Sequence, residues 1–95
     1  MVDRLRTQVE KEERDQQVLR VVIERGPIGI NRIAQETDIP EHKVRYSLRM
    51  LENDELIEPT PDGAVPAENI GERLAGINDG IDDIVDRLEA MKDVF

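Results

Sequence analysis

The sequence predicts a mainly α-helical fold with one short β-hairpin and a long helix at its end, and three observations carry that prediction. Apolar residues recur at helical spacing in four separate stretches. A run rich in Pro and Gly, from Leu56 to Pro66, separates the last two of them. The final stretch then keeps a seven-residue apolar repeat down to Phe95.

The first helix is expected from a cap at Asp3 to Arg25. Its apolar positions are Leu5, Val9, Leu19 and Ile23, with Glu12 and Gln16 on the same stripe, so the front is weakly amphipathic. Val18 and Val22 make the back half core-seeking. Gly26 and Pro27 end the helix, glycine just past it and proline beyond. Residues 1–14 read as a helical extension that packs on another helix, the candidate being the one at the far end of the chain.

Ile30, Ile33 and Ala34 stand at i, i+3, i+4 and predict a short helix from about Gly29 to Glu36. Thr37 and Asp38 break it and Ile39 drops toward the core. Pro40, with its fixed φ and no N–H to satisfy, opens the next helix, which runs to about Asn53. Val44, Leu48 and Leu51 define its buried stripe. His42, Arg45, Tyr46 and Arg49 are left on the other side, flanked by Lys43 and Met50. Two helices joined by a tight turn make a helix-turn-helix, and a helix buried along one edge and basic along the other suits a major groove.

A hairpin follows. Leu56 and Ile57 begin one strand, Asp62 and Gly63 supply a turn whose glycine accepts positive φ, and Ala64 and Val65 return. Pro59, Pro61 and Pro66 cannot donate to a ladder, so both strands must be short.

The stretch IAQETDIPEHKVRYSLRMLENDELIEPTPDG, Ile33 to Gly63, resembles the winged helix-turn-helix of archaeal and bacterial transcription regulators, and the likeness covers roughly Asp15 to Val65. It implies that the second helix of the motif reads double-stranded DNA and that the hairpin is a wing. Asp38 stands where that motif usually carries a left-handed glycine, a conformation Asp tolerates better than most residues. The wing carries Glu58 and Asp62 and no Lys or Arg, which makes it a poor phosphate clamp. That acidity motivates a second reading, a protein-binding winged-helix adaptor with no direct DNA contact.

Arg45 and Arg49 are the candidate readers, because the planar guanidinium fork matches O6 and N7 of guanine and also binds phosphate. The plainer alternative is a solvated helix face on which Arg45 pairs with Glu41. His42 and Lys43, near the helix start, suit phosphates or base edges, and Tyr46 suits stacking on or hydrogen-bonding to the DNA backbone, or partial packing.

In the last helix, residues 67–95, Ile70, Leu74, Ile77, Ile81, Ile84, Leu88, Met91 and Phe95 form an unbroken heptad stripe, broadened by Val85 and Val94. Each Ile or Leu buried is worth ~1.5–3 kcal/mol, so leaving them in water forgoes a large gain. A homodimeric coiled coil is expected, the alternative being a helix folded back on its own winged domain. The expected organisation is thus an extension at 1–14, a winged domain at 15–66 and a dimerisation helix at 67–95. Gly76 and Gly80 form a small-xxx-small pair that lets another helix approach, or are merely tolerated. This layout resembles small archaeal DNA-binding proteins that join a winged helix to an antiparallel coiled coil, although those tend to be basic.

The net charge is −9 and is unevenly spread. From Met1 to Leu51 ten Lys and Arg face nine Asp and Glu, giving +1; from Glu52 onward three face thirteen, giving −10. Ten arginines against three lysines, with abundant Asp, resemble the proteomes of salt-accumulating haloarchaea. At ~1 M salt the screening length is ~3 Å and the self-repulsion of such a surface largely disappears. The rival reading is a solvated acidic helix face.

Other classes find little support. There is no cysteine, which excludes disulfides and thiolate chemistry. One histidine and one serine, His42 and Ser47, sit on one helix and point different ways, so no enzyme is expected. Asp79, Asp82, Asp83 and Asp86 on successive helix turns make a poor metal cage, and neither metal nor cofactor is expected. With no apolar run near the ~18 residues of a membrane span, and no hydrophobic leader, the expectation is a cytoplasmic protein. The sequence names no operator or small-molecule effector.

Overall fold

The computed structural model describes residues 1–95. In chain order the elements are α1 (Val2–Arg25), α2 (Ile30–Thr37), α3 (Glu41–Asn53), β1 (Ile57–Thr60), β2 (Gly63–Pro66) and α4 (Ile70–Lys92). The architecture is mainly helical with a two-stranded antiparallel hairpin and a long last helix, as a winged helix requires.

One core holds the head together. Val18, Leu19 and Val22 of α1, Ile33 of α2, Val44 and Leu51 of α3, and Ile28, Leu56, Ile57 and Ala64 around the hairpin form a single buried cluster. Val18, Val22, Ile33 and Val44 are fully buried. Ile23, expected on the core stripe, is 36% exposed instead. The cause is angular: the buried face of α1 is centred on Val18, Leu19 and Val22, and Ile23 lies ~100° round the helix from that centre.

The N-terminus of α1 departs from the expected capping, and Gly26 ends the helix where expected. Met1, not Asp3, is the N-cap of α1, and Asp3 lies inside the first turn, where its carboxylate pairs with Arg6 at 3.1 Å. Gly26 ends α1 with ordinary extended backbone, φ −62 and ψ 147. Its missing side chain matters for closeness, because a Cβ there would meet the Val22 carbonyl oxygen at 2.6 Å and that of Ala64 at 3.0 Å.

Just past the C-cap of α3 at Asp54, Glu55 is left-handed, with φ 60. The Leu56 N–H donates to the Leu51 carbonyl and the Glu55 N–H to that of Glu52, the paired bonds of a Schellman motif. Both Leu51 and Leu56 are buried, supplying the apolar contact that accompanies it. Between α2 and α3, Asp38 adopts the expected left-handed turn at φ 59, ψ 19. Thr37 braces that turn, its hydroxyl donating to the Ile33 carbonyl at 2.7 Å and accepting from the Ile39 N–H at 3.3 Å.

The hairpin pairs Ile57 with Pro66 through to Thr60 with Gly63, leaving Pro61 and Asp62 as its loop. Ile28 adds one bridge to the outer side of β2, exchanging two hydrogen bonds with Ala64 at 3.1 and 2.8 Å. Gly63 permits this approach. At φ 126, a Cβ there would lie 2.5–2.7 Å from the backbone of Ile28.

Candidate nucleic-acid interface

α3 is held by its inner face. Val44, Ser47 and Leu51 are buried, and Leu48 is half-buried against the core. At ~100° per residue, His42, Tyr46 and Arg49 fall opposite that face, with Arg45 and Lys43 at its two edges. All five are exposed, Tyr46 by 54%.

Ser47 is the polar member of the buried face, 0% exposed. Arg14 of α1 donates from Nε to its Oγ at 2.8 Å. Arg45 and Arg49, two residues to either side, are each turned ~200° from Ser47. The buried apolar face sets the rotation of α3, the bond to α1 adds to it, and both guanidinium groups are left directed away from the body.

Asp15 sits beside this contact. Its Oδ1 is buried without a hydrogen-bond partner, and Nη2 of Arg14 is 3.8 Å away. Burial raises the Asp15 carboxyl above its ordinary value, against the opposing influence of the Ser47 hydroxyl and the Arg14 charge.

The cations between Asp15 and Pro66 divide cleanly. Arg20 pairs with Glu24 at 3.0 Å, Arg25 with Glu36 at 2.9 Å, and Arg32 with Glu36 at 3.8 Å. Lys43, Arg45 and Arg49 form no ion pair, so the Arg45–Glu41 pairing open to the sequence is not made. The free positive charge of the head is gathered on α3. The wing adds none: Glu58, Pro59, Thr60, Pro61 and Asp62 are all exposed, and its tip is closed by the Thr60 hydroxyl donating to the Gly63 carbonyl at 2.6 Å.

Residues 11–58 match the family described as winged helix-turn-helix DNA-binding, which covers half the chain. The chain belongs to the winged helix-turn-helix DNA-binding family. No curated protein matches it. The matched stretch takes in the second half of α1, all of the helix-turn-helix and the start of the wing, and stops before β2 and α4. Double-stranded DNA is accordingly the partner of this winged helix-turn-helix protein, and a DNA-binding regulator is its class. Such domains are typical of regulators without catalytic activity. No helix of the winged protein is long and apolar enough to cross a membrane.

The last helix starts at Ile70 and ends at Lys92 rather than spanning 67–95, so Phe95 falls past its end, and the eight apolar positions expected on it divide in two. Ile70, Leu74 and Ile77 are half-buried against the core of the head. Ile81, Ile84, Leu88, Met91 and Phe95 are exposed, from 39% at Leu88 to 108% at Phe95. Gly76 and Gly80 have nothing within 4 Å of a built Cβ. Asp79, Asp82, Asp83 and Asp86 stand in solvent, with Asp83 paired to Arg87 at 3.0 Å.

The Arg14–Ser47 bond and the Schellman end at Glu55 were not singled out from sequence. Ser47 does carry a signal, since it stands three after Val44 and four before Leu51, squarely on the buried face. Its partner lies 33 residues away and carries none.

Proposed function

We propose that the chain is a homodimeric, sequence-specific transcription regulator that reads the major groove with α3. Arg45 and Arg49 are the base or phosphate readers, with His42, Lys43 and Tyr46 around them. One observation carries this reading: the unpaired cations of the head lie together on the outward face of a helix whose rotation is set from behind. The family match supports DNA over the adaptor alternative.

In this reading residues 1–14 are an extension, 15–66 the winged domain and 67–95 the dimerisation helix, paired through its apolar stripe. The acid-rich, arginine-over-lysine composition supports a haloarchaeal source and work at molar salt. There counterion release yields little affinity, so recognition rests on base edges and DNA shape.

Fluorescence anisotropy with genomic fragments in high KCl tests the reading. Arg45→Ala and Arg49→Ala are each expected to weaken binding to a cognate fragment by roughly tenfold to a hundredfold. Unchanged binding in both variants would remove α3 as the reading surface.

A further inference from the structure

Beyond the head, the outer ends of α1 and α4 form an arm in which residues 1–13 and 81–95 contain not one buried side chain. The two sides of α1 differ there. Leu5 and Val9 line an open apolar groove shared with Leu88 and Met91 of α4, and Glu10 and Glu13 border it. The opposite side is polar: Asp3, Arg4, Thr7, Gln8 and Lys11 line an open recess to which no other element contributes. At ~100° per residue Arg4, Lys11, Arg14 and Val18 fall within one sector of ~80°, so the recess continues the face of α1 that packs on α3. Arg14 fixes the direction, since its bond to Ser47 points that face at the back of α3. Past α3 the face is uncovered.

We infer that Arg4 and Lys11 make a second contact with the duplex, holding backbone phosphates beside the groove that α3 enters. This rests on α3 lying in the major groove, and it extends the interface to Arg4, outside the matched stretch 11–58. The distances allow it. A major groove ~8.5 Å deep puts its phosphate ridges roughly level with the axis of a helix lying in it, and a helix packed behind has its axis only ~8–10 Å further back. An extended Arg or Lys spans most of that gap. Along α1, Lys11 lies ~4.5 Å and Arg4 ~15 Å beyond Arg14, so the two clear the α3 contact and meet different phosphates.

Elimination singles out the same two residues. Six of the thirteen Lys and Arg are ion-paired. Of the others, Lys43, Arg45 and Arg49 lie on α3, Arg73 donates to the Asp54 carbonyl, and Lys92 borders the apolar groove. Only Arg4 and Lys11 are left. The carboxylates near them are held or turned aside: Asp3 is bonded to Arg6 at 3.1 Å, Glu12 accepts from Gln8 at 3.0 Å, and Asp15 is half-buried beside Ser47. The arm is acidic as a whole, but α4 stands behind α1, across the groove, which leaves Arg4 and Lys11 in front.

Fluorescence anisotropy of the full chain with a fragment that the wild type binds, repeated over a KCl series, tests this. Arg4→Ala and Lys11→Ala stand at exposed helical positions where alanine keeps the helix. Each is expected to flatten the plot of log K against log[KCl] by ~0.9, and the double variant by ~1.8. Cognate and unrelated duplexes should weaken alike, because phosphate contacts carry no sequence information. Lys92→Ala removes an unpaired cation from the other side of α1 and should leave the slope unchanged. An unaltered slope in the double variant, or one lowered as much by Lys92→Ala as by Arg4→Ala, would overturn the contact. The α3 reading would then stand, since Arg45→Ala and Arg49→Ala test it on their own. A wild-type chain that binds no duplex would overturn both.

Discussion

Ser47 and Arg14 join a fully buried hydroxyl to a guanidinium of α1 and so tie down α3, the helix proposed to face DNA. Ser47→Ala leaves the Arg14 Nε–H without its acceptor, and thermal unfolding should show a loss of about 1–3 kcal/mol. Asp15 works in the opposite sense. Its pKa is raised by burial in the folded state, so its ionised form opposes folding at neutral pH, and stability is regained as pH falls through the folded pKa toward 3.8. Denaturant titrations of Asp15→Asn should therefore show a gain at pH 7 that shrinks steadily as wild-type Asp15 takes up its proton. The exposed residues of α3 were legible from spacing alone. The contact behind them was not, because hydrophobic periodicity marks which face is buried and says nothing of a polar partner on a distant helix.

The elements themselves were readable where one local rule dominated. Pro40, Asp38 and the apolar triplet of Ile30, Ile33 and Ala34 placed α2, the turn and α3 within a residue or so of their positions. Close approach, by contrast, left no mark on the local pattern. Gly26 and Gly63 read as punctuation, yet each makes room for a backbone contributed from elsewhere in the chain. Glu55 gave no warning at all, since a left-handed end is usually written with glycine. Glu55→Gly should consequently stabilise the protein by about 1 kcal/mol, as the residue sheds left-handed strain while the Schellman bonds persist. Gly63→Ala should do the reverse and part Ile28 from Ala64. Faster exchange of the Ala64 amide, which donates to Ile28, would report it.

At the scale of the whole molecule the chain is elongated, 52 × 28 × 19 Å, with a cored head and an arm that has none. Heptad spacing announced the arm but could not tell which positions the head would claim, and Ile70, Leu74 and Ile77 turned inward because α4 starts beside the core. Arg73 helps to anchor that start, its guanidinium donating to the Asp54 carbonyl at the end of α3. The net charge of −9 adds a prediction for the whole chain: its melting temperature should rise from ~0.1 M to ~2 M KCl as self-repulsion is screened. The claim on which the rest depends is that DNA meets α3 and not the acidic parts. Titrating a cognate duplex into isotope-labelled protein and following the backbone amides by NMR tests it most directly. The account predicts shifts concentrated at residues 42–49, with little change at the wing tip or in residues 81–95. Shifts gathered in the wing or the arm, with α3 silent, would contradict it.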